Sequence, residues 1–250
     1  VGQREIKTQE RVIQFCKDKL GYRYLGYWKD RLDNSNIEED LLADWLKRQG
    51  YGDKIITKTL RELNNAAELG GSKTLYDANQ DVYRLLRYGV KVKPDVGEQN
   101  ITVWLIDWNT PANNDFAIVE EVTVAGKHDK RPDIVFYVNG IALCVLELKR
   151  STVSVTEGIR QNLDSQKKEF IQSFYATVQL VMAGNDTEGM RYGVSETPEK
   201  YYLEWKEQAD GWTPRSQGDA KYLAPWDDGS IMKLDCQLGW VCRKERLLEI

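Results

Sequence analysis

Residues 130–150 read KRPDIVFYVNGIALCVLELKR. Two apolar runs rich in β-branched and aromatic residues flank Asn139-Gly140, and Asn-Gly between such runs is the strongest short-range signal for a β-hairpin. The charges gather at the open end of the predicted hairpin. Asp133 opens the first strand, and Glu147 and Lys149 close the second with one residue between them, so these two share a face of the sheet. Register decides whether Asp133 joins them. An unbroken ladder with a two-residue turn sets Asp133 opposite Leu146 and sends Glu147 to the other side. A three-residue loop, Val138-Asn139-Gly140 with Gly140 left-handed, sets Asp133 opposite Val145, on the face of Glu147 and Lys149. A shared carboxylate face therefore requires that longer loop or a bulge elsewhere.

Two carboxylates on one face suit a hard cation. Mg²⁺ is held by one or two carboxylates while it keeps waters and takes phosphate oxygens, so Asp133 and Glu147 suffice as ligands. Lys149 then has a task, orienting a nucleophilic water and stabilising charge on a phosphoryl transition state. The plainer alternative is strand-end charges that reach water or blunt an edge. Glu204-Trp205-Lys206 repeats the E-x-K spacing, and Pro94-Asp95 repeats Pro-Asp, with nothing to join them. Context separates the first set, which lies at one end of one hairpin behind nearly continuous apolar sequence.

The chain has 250 residues, 41% hydrophobic and 30% charged, with net charge −4. That is an ordinary globular balance, long enough for one large domain or a domain with an insertion. With pI near 5.3 no overall basic field advertises nucleic acid, and any such contact must come from a local patch. Cys16, Cys144, Cys236 and Cys242 form no C-x-x-C pair, and Cys144 reads as a small core hydrophobe, which fits a reducing, cytoplasmic setting. No apolar run approaches the ~20 residues of a membrane span. A Val start and an end inside a helical pattern suggest an excerpt of a longer polypeptide.

Apolar periodicity predicts a surface helix from Arg4 to Leu20, stopped by Gly21. After the aromatic segment Tyr22–Trp28, the cluster Asn34-Ser35-Asn36 opens a second helix with Ile37, Leu41, Leu42, Trp45 and Leu46 on one face. Glu38, Glu39 and Asp40 in its first turn suit the helix dipole. Helical patterns at Asp53–Leu69 and Thr74–Tyr88 follow, then strand patterns at Val90–Lys93, Ile101–Trp108 and Phe116–Val124. Beyond the hairpin, Ser154, Thr156 and Glu157 open a helix running to about Phe170 or Tyr175. Thr177–Ala183 is apolar on both faces, hence a central strand. Met190–Val194 pairs nearby, Lys200–Trp212 has no clear period, and Ile231–Leu248 includes a closing helix. The order predicts a mixed α/β sheet with helices on its faces.

Other chemistries lack their residues. Gly70-Gly71-Ser72-Lys73-Thr74 is an inter-helix turn rather than a phosphate loop, since Ser72 precedes the lysine and a helix precedes the loop. His128, the sole histidine, sits in a polar turn, which leaves little for a zinc site or a His-dependent triad.

Pro132-Asp133 followed by Glu147-Leu148-Lys149 resembles the signature of the PD-(D/E)xK nuclease superfamily. The fuller string, Arg131 to Val135 through Val138-Asn139-Gly140-Ile141 to Lys149, resembles the amino-terminal nuclease domain of the R subunit of type I restriction-modification enzymes. Glu39 matches that family's upstream helix glutamate, and Gln161 the first residue of its Q-x-x-x-Y element, although Ser165 stands where the tyrosine would be. The resemblance implies a restriction-endonuclease-like αβββαβ core over residues 36–230 with a helical insertion near 53–88. A helical extension over 1–35 precedes it, and a helix over 231–250 leads towards a motor domain. It also implies Mg²⁺-dependent cleavage of double-stranded DNA within a complex containing methylation and specificity subunits, with ATP used by the motor elsewhere. The implied site is Asp133, Glu147 and Lys149, with Glu39 and Gln161 auxiliary. Lys130, Arg131, Arg150, Arg160, Lys167 and Lys168 cluster around it in the sequence and read equally as phosphate contacts or as a solvated charged face. A non-catalytic docking module that keeps the fold is the rival reading.

Overall fold

The computed structural model describes residues 3–205 and 232–249. Helix α1 (Gln3–Asp18) leads into β1 (Arg23–Tyr27), then α2 (Glu39–Arg48), α3 (Asp53–Ala67) and α4 (Leu75–Tyr88). A two-stranded ribbon, β2 (Val90–Val92) with β3 (Ile101–Val103), precedes β4 (Phe116–Glu120), β5 (Ile134–Val138) and β6 (Ile141–Leu148). Helix α5 (Val155–Ser165) crosses to β7 (Leu180–Asn185), followed by β8 (Gly189–Gly193), β9 (Leu203–Glu204), α6 (Lys233–Val241) and α7 (Lys244–Glu249). The main sheet has seven strands in the order β1-β4-β5-β6-β7-β8-β9. β4, β5 and β6 pair antiparallel, whereas β6 and β7 are parallel and joined through α5, so the α/β mixed sheet read from the sequence is the architecture found.

β6 and β7 are buried along their whole lengths, as strands apolar on both faces must be. Tyr22 pins the layers together: its ring meets Phe116 and Phe136 edge-on at 5.7 and 5.5 Å, and its hydroxyl donates to the carbonyl of Cys242 at 2.6 Å. Each such ring pair contributes roughly 0.5–1.5 kcal/mol beyond area burial. Cys16, Cys144, Cys236 and Cys242 are all free, and burial pushes the Cys144 thiol up.

Several boundaries differ from expectation. Within the aromatic segment Tyr22–Trp28, for which the sequence predicts no element, Arg23–Tyr27 forms an edge strand parallel to β4, held by long-range pairing that no local pattern reports. The strand within Ile101–Trp108 ends at Val103, and that within Phe116–Val124 at Glu120, beyond which Val124 and Lys130 form an isolated bridge. The helix read from 154 to about 170 or 175 stops at Ser165, and only Gln172–Ala176 resumes as a short 3₁₀ turn. The closing helix is two helices, broken at Cys242. Part of Lys200–Trp212, including Lys206 of the second E-x-K, and the boundary near 230 lie outside the described residues. The Gly70–Lys73 segment is a tight turn, and Thr74 caps α4 in a reciprocal box with Asp77, so no phosphate loop is present there.

The hairpin turn combines both devices weighed for it. Asn139 (φ 53°) and Gly140 (φ 84°) form a two-residue turn with both residues left-handed. The ladder then slips by one residue between Phe136 and Tyr137, because Phe136 faces Cys144 while Tyr137 faces Ala142, which leaves Leu143 as the bulge. The three-residue loop is absent and the bulge stands in its place. From Ile134 opposite Leu146, the next position sets Asp133 opposite Glu147. Gly140 is required: a Cβ there would stand 2.8 Å from both the carbonyl oxygen of Glu38 and the amide nitrogen of Leu42.

Candidate active site

At the open end Glu147 is only 2% exposed, the last but one residue of a strand with the parallel β7 beside it. Burial pushes its carboxyl well above the ordinary range, and the neighbouring Asp133 carboxyl adds to the rise. Asp133 is likewise pushed up to about 6, by burial first, although its Oδ2 accepts the Leu148 N–H at 2.7 Å. Lys149 donates from Nζ to Oε1 of Glu147 at 3.0 Å and to the Leu148 carbonyl at 3.0 Å. Burial alone would pull that ammonium down, but Glu147, Asp133 and Glu5 together outweigh it and hold it above its ordinary value. The three residues read from the hairpin thus meet on one face.

Helix α5 packs against this face through Gly158. A Cβ there would stand 3.1 Å from that of Ala183 and within 3.6 Å of the Glu147 and Lys149 side-chain stems. Gln161 lies one turn further along α5, half-buried. Its neighbour Asn162 is the buried amide, donating to the Met182 carbonyl at 2.9 Å and accepting from the Tyr175 hydroxyl at 3.2 Å. Ser165 turns its hydroxyl back to the Gln161 carbonyl at 2.9 Å.

Glu39 is not brought to the site. The start of α2 covers the Asn-Gly turn, with the Glu38 N–H donating to the Gly140 carbonyl at 2.8 Å. That places Glu39 at the closed end, a strand's length of about 20 Å away at ~3.3 Å per residue. There it is exposed and accepts from Asn64 at 2.7 Å. The acid found at the open end is Glu5 of α1, 4.0 Å from Lys149 Nζ. Glu121, buried at the end of β4 and left-handed at φ 53°, is the second acid the sequence reading missed; it pairs with Arg131 and hydrogen-bonds Gln9. Neither carried a local signal, because α1 reaches the strand ends only through tertiary packing.

The basic residues are divided. Lys130 lies over the Phe170 ring at 4.1 Å, and His128, exposed beside it, donates its backbone N–H to the Glu169 carbonyl at 3.0 Å. Arg160 is held between Glu157 and Glu199, and Lys167 pairs with Asp164 at 2.5 Å. Arg150 and Lys168 are exposed next to these elements.

Among the described residues no group of three or more His, Cys, Asp or Glu side chains is placed to hold a metal ion. The carboxylates that could hold a cation at this end are the Asp133–Glu147 pair. Both are oxygen donors, the kind and number that a hard cation such as Mg²⁺ takes alongside waters.

A mixed sheet whose strand ends present buried acids and a lysine beside a crossover helix defines the class, an α/β domain of restriction-endonuclease-like fold. The family model for the type I restriction enzyme R protein N terminus matches residues 2–200, and the chain belongs to that family. Similar proteins include the type I restriction enzyme HindI endonuclease subunit of Haemophilus influenzae, 36% identical over 112 residues that make up 42% of this chain and 10% of that protein. The SsaAORF53P endonuclease subunit of Staphylococcus saprophyticus is 25% identical over 83% of this chain and 21% of its own length. The matched part thus spans about a tenth to a fifth of these relatives. Among the described residues no helix is long and apolar enough to cross a membrane.

Proposed function

We propose that this chain is the endonuclease domain of a type I restriction complex and hydrolyses DNA phosphodiester bonds with Mg²⁺. The observation that supports it most is the bulge at Leu143, which sets Asp133 opposite Glu147 and so puts two acids and Lys149 on one face. Asp133 and Glu147 would hold the ion. When bound, Mg²⁺ supplies Lewis-acid polarisation of the phosphate and makes hydroxide accessible near neutral pH. The chain's own groups do the rest. The Leu148 N–H fixes the Asp133 carboxylate, and Glu147 fixes Lys149. Lys149 positions the attacking water and offsets charge on the non-bridging oxygens. Glu5, not Glu39, is the auxiliary acid, and Asn162 beside Gln161 ties α5 to the sheet beneath.

The relatives' names, type I restriction enzyme endonuclease subunits, support a multi-subunit restriction complex acting on DNA; double-stranded DNA as substrate, methylation and specificity subunits as partners and ATP use by a motor domain outside these residues are part of this proposal. The test is plasmid cleavage by the intact assembly with wild-type chain, Asp133→Ala and Lys149→Ala. Each variant should lose about 10²–10³-fold in rate, the scale for removing one preorganised charge-stabilising group. Equal cutting by all three would refute the assignment and leave the docking-module reading.

A further inference from the structure

Helix α1 carries a stripe of three polar residues spaced one turn apart, Glu5, Thr8 and Arg11, and each reaches a different part of the open end. Glu5 stands 4.0 Å from Lys149 Nζ. Thr8, buried, donates its hydroxyl to Oδ2 of Asp186 at 2.9 Å. Arg11 reaches furthest: its guanidinium pairs with Asp186 in the β7–β8 turn and, through its other terminal nitrogen, with Asp235 in α6. Asp235 is 3% exposed, so this pair has little water to replace it.

The β7–β8 turn is tied in turn to the segment that follows Lys149. Asn185 donates to the Val153 carbonyl at 2.8 Å, Thr187 to the Ser151 carbonyl at 3.1 Å, and Glu188 accepts the Val155 N–H at 2.9 Å. Helix α6 is bolted to β8 and to the face of the sheet opposite α5, because Gln237 accepts the Met190 N–H at 2.5 Å and donates to the Trp205 carbonyl at 3.2 Å, and Leu234 packs on Gly184 while the preceding Ala183 faces Gly158 of α5. Arg11 is thus a junction between the closing helix, the strand-end turn and the helix that presents Glu5.

We propose that Arg11 is a positioning residue that couples α6 to the active site, holding α1 so that Glu5 faces Lys149. This rests on the Mg²⁺ reading of Asp133 and Glu147. A guanidinium suits the role because its planar fork can serve two carboxylates at once, which a lysine does less well. Loss of Arg11 frees α1 to tilt away from the strand ends and Glu5 leaves Lys149, so the ammonium, already on Glu147 at 3.0 Å, is drawn to Glu147 alone and competes more strongly with the cation for it.

The test is Mg²⁺ affinity of the 250-residue chain by titration calorimetry without DNA, together with hydrogen exchange of the α1 amides. Arg11→Met should weaken Mg²⁺ binding about tenfold, the scale for losing a group that orients ligands from behind, and should speed exchange across α1. Glu5→Gln should weaken binding similarly, and the double variant should be no worse than the poorer single, because both break one chain of contacts. Arg11→Lys should recover part of the affinity. Asp186→Asn, which breaks the link at a partly exposed turn, should reproduce the loss if Arg11→Met fails to fold. Wild-type Mg²⁺ affinity in a folded Arg11→Met or Asp186→Asn variant, or a double variant whose loss is the product of the singles, would overturn the coupling. A wild-type chain that binds no Mg²⁺ would instead refute the reading it rests on.

Discussion

The two ends of the central hairpin are built from similar material and treated in opposite ways. At the closed end the buried side chains Asn139 and Glu38 are fully partnered. The Asn139 side chain accepts from the Asp115 N–H at 2.7 Å and donates to the Leu105 carbonyl and the Asn114 side chain at 2.9 and 2.8 Å. Glu38, also buried, is met by Arg31 at 2.5 Å and by the Ser35 N–H at 3.0 Å. At the open end Asp133 and Glu147 are placed side by side with one ammonium, on Glu147, and burial pushes both carboxyls up. A fold that satisfies one end so fully has no structural need to strain the other. The strained end is where a ligand can add stability, and that contrast separates structural from functional polar groups.

The contrast breaks most sharply at Asp133. Asp133→Asn keeps an acceptor for the Leu148 N–H but removes the like charge beside Glu147, so cleavage should be lost while the metal-free protein becomes more stable. The sign follows from linkage. A carboxyl raised from about 4 to about 6 stabilises the fold while protonated, and that contribution disappears as pH rises through about 6. In EDTA at pH 8 the variant should therefore gain on the order of 2 kcal/mol over wild type, read as a higher denaturant midpoint, and the gain should vanish near pH 4. A variant less stable than wild type at pH 8 would show that the open end is not strained.

The opposite substitution belongs to the closed end. Asn139→Ala removes three hydrogen bonds, two of them fully buried, and leaves a non-glycine residue without a helpful side chain at φ 53°. A loss of about 2–4 kcal/mol is expected, with unchanged cleavage per folded molecule. Urea unfolding and active-fraction-corrected rates check the two halves separately.

The hairpin, its central place and the grouping of Asp133, Glu147 and Lys149 were legible because they depend on near neighbours: Asn-Gly, the two-residue period and the charges at the strand ends. The bulge was legible only as a parity requirement. Leu143 has no local mark, since β6 is apolar on both faces and any residue could have slipped. Strand β1 and the approach of Glu5 were hidden for a different reason. Both are set by partners some 90 to 140 positions away in sequence, Ala117 for Arg23 and Lys149 for Glu5. Ser165 ended α5 earlier than its apolar spacing suggested, as the chain turned to seat Phe174 and Tyr175 under α4, where Asn79 holds the Tyr175 and Val178 carbonyls.

The smallest effect concerns Glu39. As the first acid of α2 it matches a family position by motif, yet it lies at the closed end, exposed, with Asn64 as its partner. Glu39→Gln removes a negative charge from the first turn of α2, which costs roughly 0.3–1 kcal/mol at an exposed helix start. Its distance of about 20 Å from Lys149, twice the ~10 Å Debye length at 0.1 M salt, leaves almost no electrostatic effect on the site. The cleavage rate should therefore stay within about twofold of wild type. Kinetics on Glu39→Gln and Glu5→Gln side by side separate the positions: a large loss for the former with none for the latter would return the auxiliary acid to α2 and require α2 to move to the open end when DNA binds.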